Sequence, residues 1–335
     1  MDMYTYYDIV KGVIESTGVD YVENDKSVWL DGLDFAVPSR KLAIKINRVS
    51  VENNDVTATV PIRERGYHKK MHDTVEKAGW ELLSLDDRQL VDPSWSNITK
   101  PFILMKIAGT AEHVIYGRDV SITRVEVSAD LRYANDFLKR YHFAGHASAQ
   151  DTFLIRCENP RNGVHVGDVV GVFSLRNVRN KPDMIEIARV AWRPGYQVRY
   201  GLSKIIDVIK ETHPERHRIL SFSDNRMGNG QSYGKAGFRY DGDTSPSLWF
   251  INPDDPNDSY SWQVATSWGA KQGVIAKSFE KHGLTVPPDC TNQKAREIVE
   301  TTLPHRHDGG NGYRSYVDCA NKRWLLDYDM SADKK

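Results

Sequence analysis

The chain has 335 residues, 40% of them hydrophobic and 27% charged, and its 45 Lys and Arg balance 45 Asp and Glu. That length allows two domains, and no apolar run approaches the roughly 20 residues that cross a bilayer, so no membrane association is expected. Cys157, Cys290 and Cys319 are odd in number and far apart, which argues against a disulfide framework or a Cys-based zinc site and for a reducing, cytoplasmic setting. The opening MDMYTYYDIVKG has no cationic segment leading into an apolar one, so no secretory signal is expected.

The first elements follow from apolar spacing. Residues 8–16 read as a helix with Ile9, Val10, Val13 and Ile14 on one side and Gly18 at its end. Residues 33–38 and 42–47 read as hairpin strands joined by Pro38-Ser39-Arg40-Lys41. A helix is expected over 67–77 with Gly79 after it, then a strand over 80–85.

Within this stretch lie Asn24-Asp25-Lys26-Ser27, Leu33-Asp34-Phe35-Ala36-Val37-Pro38, Ala43-Ile44-Lys45-Ile46-Asn47, Tyr67-His68-Lys69-Lys70 and Trp80-Glu81-Leu82-Leu83-Ser84-Leu85. In order and spacing this set resembles the Vsr-like branch of the PD-(D/E)xK nucleases, as found in phage homing endonucleases. The resemblance implies a small mixed-sheet, restriction-endonuclease-like domain over residues 1–92, and DNA as a partner. It puts Asp34 at the metal-binding aspartate and Asp8 at the acidic residue of the first helix. Such nucleases gather carboxylates around Mg²⁺. Here Lys45 stands where the second acidic ligand is usual, and Arg48-Val49-Ser50-Val51-Glu52 replaces a Gly-x-x-Trp-His segment. The expectation is a catalytically degenerate nuclease fold that still grips DNA, with Mg²⁺ relevant only if the site is active.

Residues 93–114, with Pro93, Trp95, Asn97 and Pro101, read as a linker containing one short apolar element at 102–107. Further on, a helix is expected over 133–141. Ile185, Ile187 and Val190 mark a buried strand before a Pro-Gly break. Gly201 then opens a helix whose Leu202, Ile205, Ile206 and Ile209 share a face. Ile219, Leu220 and Phe222 form the next strand, and Tyr233, Gly237 and Phe238 close the unit. A glycine turn between strand and helix leaves N–H groups free at a helix N-terminus, a site for a phosphorylated cofactor. Residues 176–239 carry 13 Lys and Arg against 6 Asp and Glu, whereas 240–260 hold Asp241, Asp243, Asp254, Asp255 and Asp258 with no Lys or Arg. A basic lobe of this kind suits a polyanion.

Tyr233-Gly234-Lys235-Ala236-Gly237-Phe238 has the Tyr-x-x-x-Gly-Phe form of the GNAT acyltransferases, and residues 197–203 keep one glycine of their cofactor turn, with Ser203 near a small-residue position. Together with Tyr116-Gly117-Arg118, His142-Phe143-Ala144-Gly145 and residues 312–321, the stretch from about 115 to 325 is similar to the GNAT-like, Mom-like domain fused to Vsr-like nucleases in phages. The resemblance implies an α/β (α+β) fold in which a GNAT-like domain over 115–330 has a central, mostly antiparallel sheet. It implies acetyl-CoA or a related acyl-CoA bound by Val190, Arg199, Tyr200, Gly201, Leu202 and Ser203, and a DNA base as acceptor.

Acyl transfer needs a base, an oxyanion donor and an acid for the leaving thiolate. Tyr233 sits at the acid position, His142 is the candidate base, and Asp224 lies after a strand end, where open sheets place ligands. Glu186 and Arg189, three apart on a strand, are expected to face opposite ways, Glu186 toward the acceptor and Arg189 toward phosphate, with Arg226 as a second substrate contact. No metal site is expected: His305-Arg306-His307-Asp308 reads as a loop, and His213 and His217, interrupted by Pro214, as a surface turn. Two alternatives stand beside the transferase: a Vsr-like homing endonuclease, and a non-catalytic factor binding DNA or a phage or host protein. In each case the setting is a cytoplasm, the host's if the chain is phage-encoded.

Overall fold

A computed structural model describes residues 3–47, 66–160, 163–252, 254–261 and 314–328, with isolated positions between 285 and 298. Helix α1 (Met3–Glu15) buries Val10, Val13 and Ile14, and the chain leaves it through Gly18 at φ 67°. Strands β1 (Val22–Asp25), β2 (Leu33–Val37) and β3 (Leu42–Asn47) run antiparallel in sequence. Helix α2 (Tyr67–Lys77) then carries the chain back, so β4 (Glu81–Asp86) lies parallel to β3; a parallel neighbour requires such a crossover. The result is a mixed four-stranded sheet ordered β1-β2-β3-β4. One face packs Phe35, Val37 and Ile44 against α1, and the other packs Leu33, Ala43 and Leu82 against Met71 and Val75 of α2. Asp86 caps the short helix α3 (Asp87–Leu90) through a capping box with Gln89.

The stretch read as a linker is structured and belongs to this core. A π-helical turn (Trp95–Thr99) leads into α4 (Lys100–Ala108). Ile103 and Ile107, four apart and therefore on one helical face, are buried in the α1 cluster. The Arg40 side chain donates to the Ile107 and Ala108 carbonyls at the end of α4, where orphan acceptors need partners.

The second unit opens with β5 (His113–Tyr116) and continues through β6 (Val120–Arg124), α5 (Ser128–Tyr141), β7 (Asp151–Cys157), β8 (Val169–Asn177), β9 (Met184–Trp192), β10 (Tyr196–Arg199) and α6 (Gly201–Thr212). β11 (Arg218–Asp224), α7 (Gln231–Lys235), β12 (Arg239–Asp243), β13 (Leu248–Ile251), β14 (Ser259–Ser261), β15 (Arg314–Val317) and β16 (Asn321–Asp327) complete it. Seven strands form one sheet ordered β12-β16-β11-β9-β8-β7-β6. Every neighbouring pair is antiparallel except β9 and β11. This is the mostly antiparallel central sheet expected of a GNAT-like domain, with α6 on one face and α5 on the other.

Ile205, Ile206 and Ile209 of α6 cover Phe153, Phe173, Ile185, Ile187 and Ile219, while Ala134, Phe137 and Leu138 of α5 cover Leu154, Val172 and Ala191. Phe153 and Phe173 stack with centroids 4.6 Å apart. Outside the main sheet, β10 pairs in parallel with β5, and β14-β13-β15 form a small sheet between β12 and β16 in sequence. Among the described residues no helix is long and apolar enough to cross a membrane.

Candidate functional site

The parallel pair at the centre of the large sheet does not run its full length. β9 and β11 pair at Met184–Arg218, Ile185–Ile219 and Glu186–Leu220. There the ladder ends, although β9 continues to Trp192 and β11 to Asp224. On its other edge β9 carries a bulge: Ile187 faces Leu175 and Arg189 faces Ser174, leaving Ala188 as the extra residue. The two irregularities meet at one level of the sheet, so the parting of β9 and β11 is a cleft in the ladder, with an α6 side and an α5 side.

The bulge also resets the alternation of side chains. Ile185 and Ile187 sit in the core beneath α6, and after the bulge Val190 and Trp192 pack there as well. Glu186, Arg189 and Ala191 are left for the α5 side. Glu186 and Arg189 therefore share a face, contrary to the expectation from their spacing, because an inserted residue shifts a period of two by one step.

On the α6 side, Tyr200 takes the left-handed conformation at φ 61° as the N-cap of α6. Gly201 follows because nothing larger fits: a Cβ there would lie 2.8 Å from the Trp192 ring. The first N–H groups of this helix have no intrahelical acceptor. Beside them an open cavity of about 500 Å³ is lined by Tyr116, Gly117, Arg118, Tyr200, Ser203, Lys204 and Asp207. Arg199 lies over the Tyr116 ring at 6.0 Å, and Val190 and Leu202 are half-buried against the core. Val190, Arg199, Tyr200, Gly201, Leu202 and Ser203 thus lie along one path from the sheet to the helix end. Farther along, the Tyr233 hydroxyl accepts from Ser221 at 3.0 Å, and its ring stacks on Trp324 at 5.7 Å. Burial raises the Tyr233 pKa despite the Ser221 hydrogen bond, so the phenol holds its proton at neutral pH.

On the α5 side, His142 ends helix α5, and its Nδ1 accepts from the Ala144 N–H at 3.1 Å. Burial lowers its pKa to about 4, with help from the Arg189 cation and against the pull of Asp224. The neutral ring accordingly carries its proton on Nε2, which makes that nitrogen a donor. Glu186 is gripped by Arg176, whose Nε and a terminal nitrogen donate at 2.9 and 2.6 Å. Arg189 donates to the carbonyls of Gly145 and Ala188 at 3.0 and 2.7 Å. Opposite Arg189, the buried Ser174 hydroxyl has no hydrogen-bond partner among the described residues.

At the end of β11, Arg226 binds the Asp224 carboxylate through Nε and a terminal nitrogen, the shortest contact being 2.6 Å. Its other terminal nitrogen donates to Asp86 at 2.9 Å. Asp86 is fully buried; burial alone would raise its pKa, but Arg88 and Arg226 hold it at about 2. Ala188, Ser174 and Asp86 are contributors that sequence reasoning missed.

The first domain offers a different picture. Asp34 is half-buried, 3.4 Å from Lys45 Nζ, and accepts the Ile46 N–H at 2.6 Å. Lys45 thus supplies the positive charge at Asp34 that a metal ion would otherwise bring. Asp8 is exposed on α1, and among the described residues no hydrogen bond or ion pair joins it to Asp34. His72, Asp73 and Glu76 approach within 4.8 Å of one another. Lys69 pairs with Asp73 at 2.5 Å and Lys322 with Glu76 at 2.7 Å, so those carboxylates are already neutralised. His213, expected in a surface turn, is buried at the end of α6 and faces Asp151 at 3.2 Å. Residues 48–52 and 305–308 lie outside the described residues.

No protein-family profile matches the sequence, and no curated protein does. Among solved structures, the chain is similar to a spermidine/spermine N-acetyltransferase from Vibrio cholerae: 11% identity, 65% of this chain and 98% of that one covered, TM-score 0.32. A Bacillus subtilis acetyltransferase in complex with CoA matches at 13% identity, covering 63% and 99%, with TM-score 0.32. A GNAT family acetyltransferase from Elizabethkingia anophelis with acetyl-CoA bound matches at 11%, covering 62% and 98%, with TM-score 0.31. Likenesses this distant carry no argument about this chain's chemistry, which rests on its own strand order and side chains.

Proposed function

We propose that the chain is an acyl-CoA-dependent acyltransferase whose reaction takes place at the parting of β9 and β11. The observation that carries this reading is the coincidence of three features at one level of the sheet: the end of the parallel ladder after Glu186 and Leu220, the bulge at Ala188, and the protonated Tyr233 hydroxyl. The N-terminus of α6 and its Gly201 approach suit a pyrophosphate. A thioester reaching from there into the cleft meets the Ala188 backbone, left out of the ladder, and Tyr233 as proton donor to the departing thiolate. Calorimetry with acetyl-CoA tests this; absence of heat at millimolar acetyl-CoA sinks it.

For the acceptor we propose an amine that is neutral at pH 7 and flanked by negative charge, as on a DNA base. Around the α5 side, Asp86, Glu186 and Asp224 are each already bonded to an arginine. Among the described residues none remains free to receive a protonated amine, while Arg189 bonds there only to carbonyls. The first domain is read as a DNA-gripping partner without a Mg²⁺ site, because Lys45 answers Asp34. DNA affinity is expected to fall with added salt. Plasmid cleavage in Mg²⁺ that is lost in Asp34→Ala would restore the endonuclease reading.

A further inference from the structure

We propose that Asp86, a residue of the first domain, is a positioning residue for the cleft of the second, acting through Arg226; this rests on the acyltransferase reading. The segment between β11 and α7 continues from the strand that parts from β9 and leads into Tyr233, and it is held from outside its own domain. The Ser84 N–H donates to the Arg226 carbonyl at 2.8 Å, and Leu83 forms a β-bridge with Met227, so β4 gains a step of ladder from the other domain. Gln89 donates to the Met227 sulfur at 3.3 Å. Gly228, at φ 119°, runs so close to the first domain that a Cβ would strike the Glu81 carboxylate.

At the centre sits the chain of charges Arg88–Asp86–Arg226–Asp224. Asp86 is fully buried and Arg226 nearly so. The two cations and two anions in that sequence cannot be moved singly, because each would be left desolvated without its partner. Arg226 is thereby fixed at both ends, and it fixes Asp224, the last residue of β11, and the chain that follows. Around this core, Arg88 lies over the Trp249 ring at 4.0 Å, His68 meets Tyr316 at 4.8 Å, and Lys69 reaches Asp243 at 2.7 Å. The first domain therefore grips the β11 end, the turn to Tyr233 and the small sheet inserted before β16.

The test uses the full chain and its Asp86→Asn variant, with two probes. Acetyl-CoA reaches Tyr233; 3′-phosphoadenosine 5′-diphosphate, the nucleotide half of CoA, reaches only the end of α6. In the variant, acetyl-CoA affinity is expected to fall about tenfold while nucleotide affinity stays within about twofold. Equal loss for both probes, or loss for neither, overturns the proposal. If the wild-type chain binds no acetyl-CoA, it is the acyltransferase reading that fails. The latch is then decided by amide hydrogen exchange: faster exchange at 225–235 with 201–212 unchanged upholds it, and no change or a uniform increase refutes it.

Discussion

The two sheets of this molecule deal with charge in opposite ways. In the first, the aspartate at the centre of the sheet is answered at once by the lysine on the neighbouring strand and by a backbone N–H. In the second, two parallel strands let go of each other, and a buried hydroxyl, a neutral imidazole and a cation gather around the gap. The first arrangement is closed on itself. The second leaves donors facing a space, which is what a site for a ligand requires and what a purely structural sheet avoids.

The largest effect expected is on the core that keeps the gap open. Phe173→Ala, which removes one ring of the Phe153–Phe173 stack, should cost about 3–5 kcal/mol in denaturant unfolding. A loss under about 1 kcal/mol would mean that the second sheet tolerates collapse.

Acid comes next. The folded pKa values of His68 and His142 are lowered to about 4 from 6.5, chiefly by burial. The unfolded chain then binds more protons between those values, so the stability these neutral rings provide is complete above pH 6.5 and declines as pH falls toward 4, on the order of 2 kcal/mol for each ring. His142→Gln should flatten that slope by its share in thermal melts at pH 4.5 and pH 7.5; an unchanged slope would show the ring to be solvated. Asp86 behaves differently, since its pKa of about 2 lies below the ordinary 3.8: its contribution is complete above 3.8 and is lost as pH falls from there through about 2.

A smaller change separates chemistry from packing. Tyr233→Phe removes one hydroxyl and its Ser221 hydrogen bond, at a stability cost of about 1 kcal/mol. CoA release from acetyl-CoA should nonetheless slow by about a hundredfold, with acetyl-CoA affinity held. Equal rates in the two proteins would remove Tyr233 from the reaction. The smallest effect is expected in the first domain: Asp34→Asn keeps an acceptor for the Ile46 N–H and loses only the partly exposed Lys45 pair, costing about 1 kcal/mol, and should leave acetyl-CoA binding untouched.

Much of the fold was legible because it is local. The helix expected over about 67–77 matches α2, the helix expected to open at Gly201 does so, and the Tyr-x-x-x-Gly-Phe end lies where expected. The cofactor path proposed above starts from a single glycine turn. What escaped depends on partners distant in sequence. Ala188 sits in an unbroken run, Ala188-Arg189-Val190-Ala191-Trp192, that reads as plain strand; its bulge exists only relative to β8, and with it went the facing of Arg189. The Asp86–Arg226 bond joins residues 140 positions apart. Residues 93–114 read as a linker with one short apolar element because Pro93 and Pro101 stand near it, although Pro101 sits in the first turn of a helix, where proline is tolerated.

The position of β16 has a consequence for how the molecule is made. In the sheet it lies between β11 and β12, yet residues 244–320 separate it from β12 along the chain. During synthesis, β11 leaves the ribosome with a bare edge, and β12 has no neighbour until β16 arrives. An exposed edge of this kind is a template for pairing with another chain. The wait is therefore the interval in which a nascent molecule is most exposed to aggregation, and slowing translation across residues 244–320 should lengthen it.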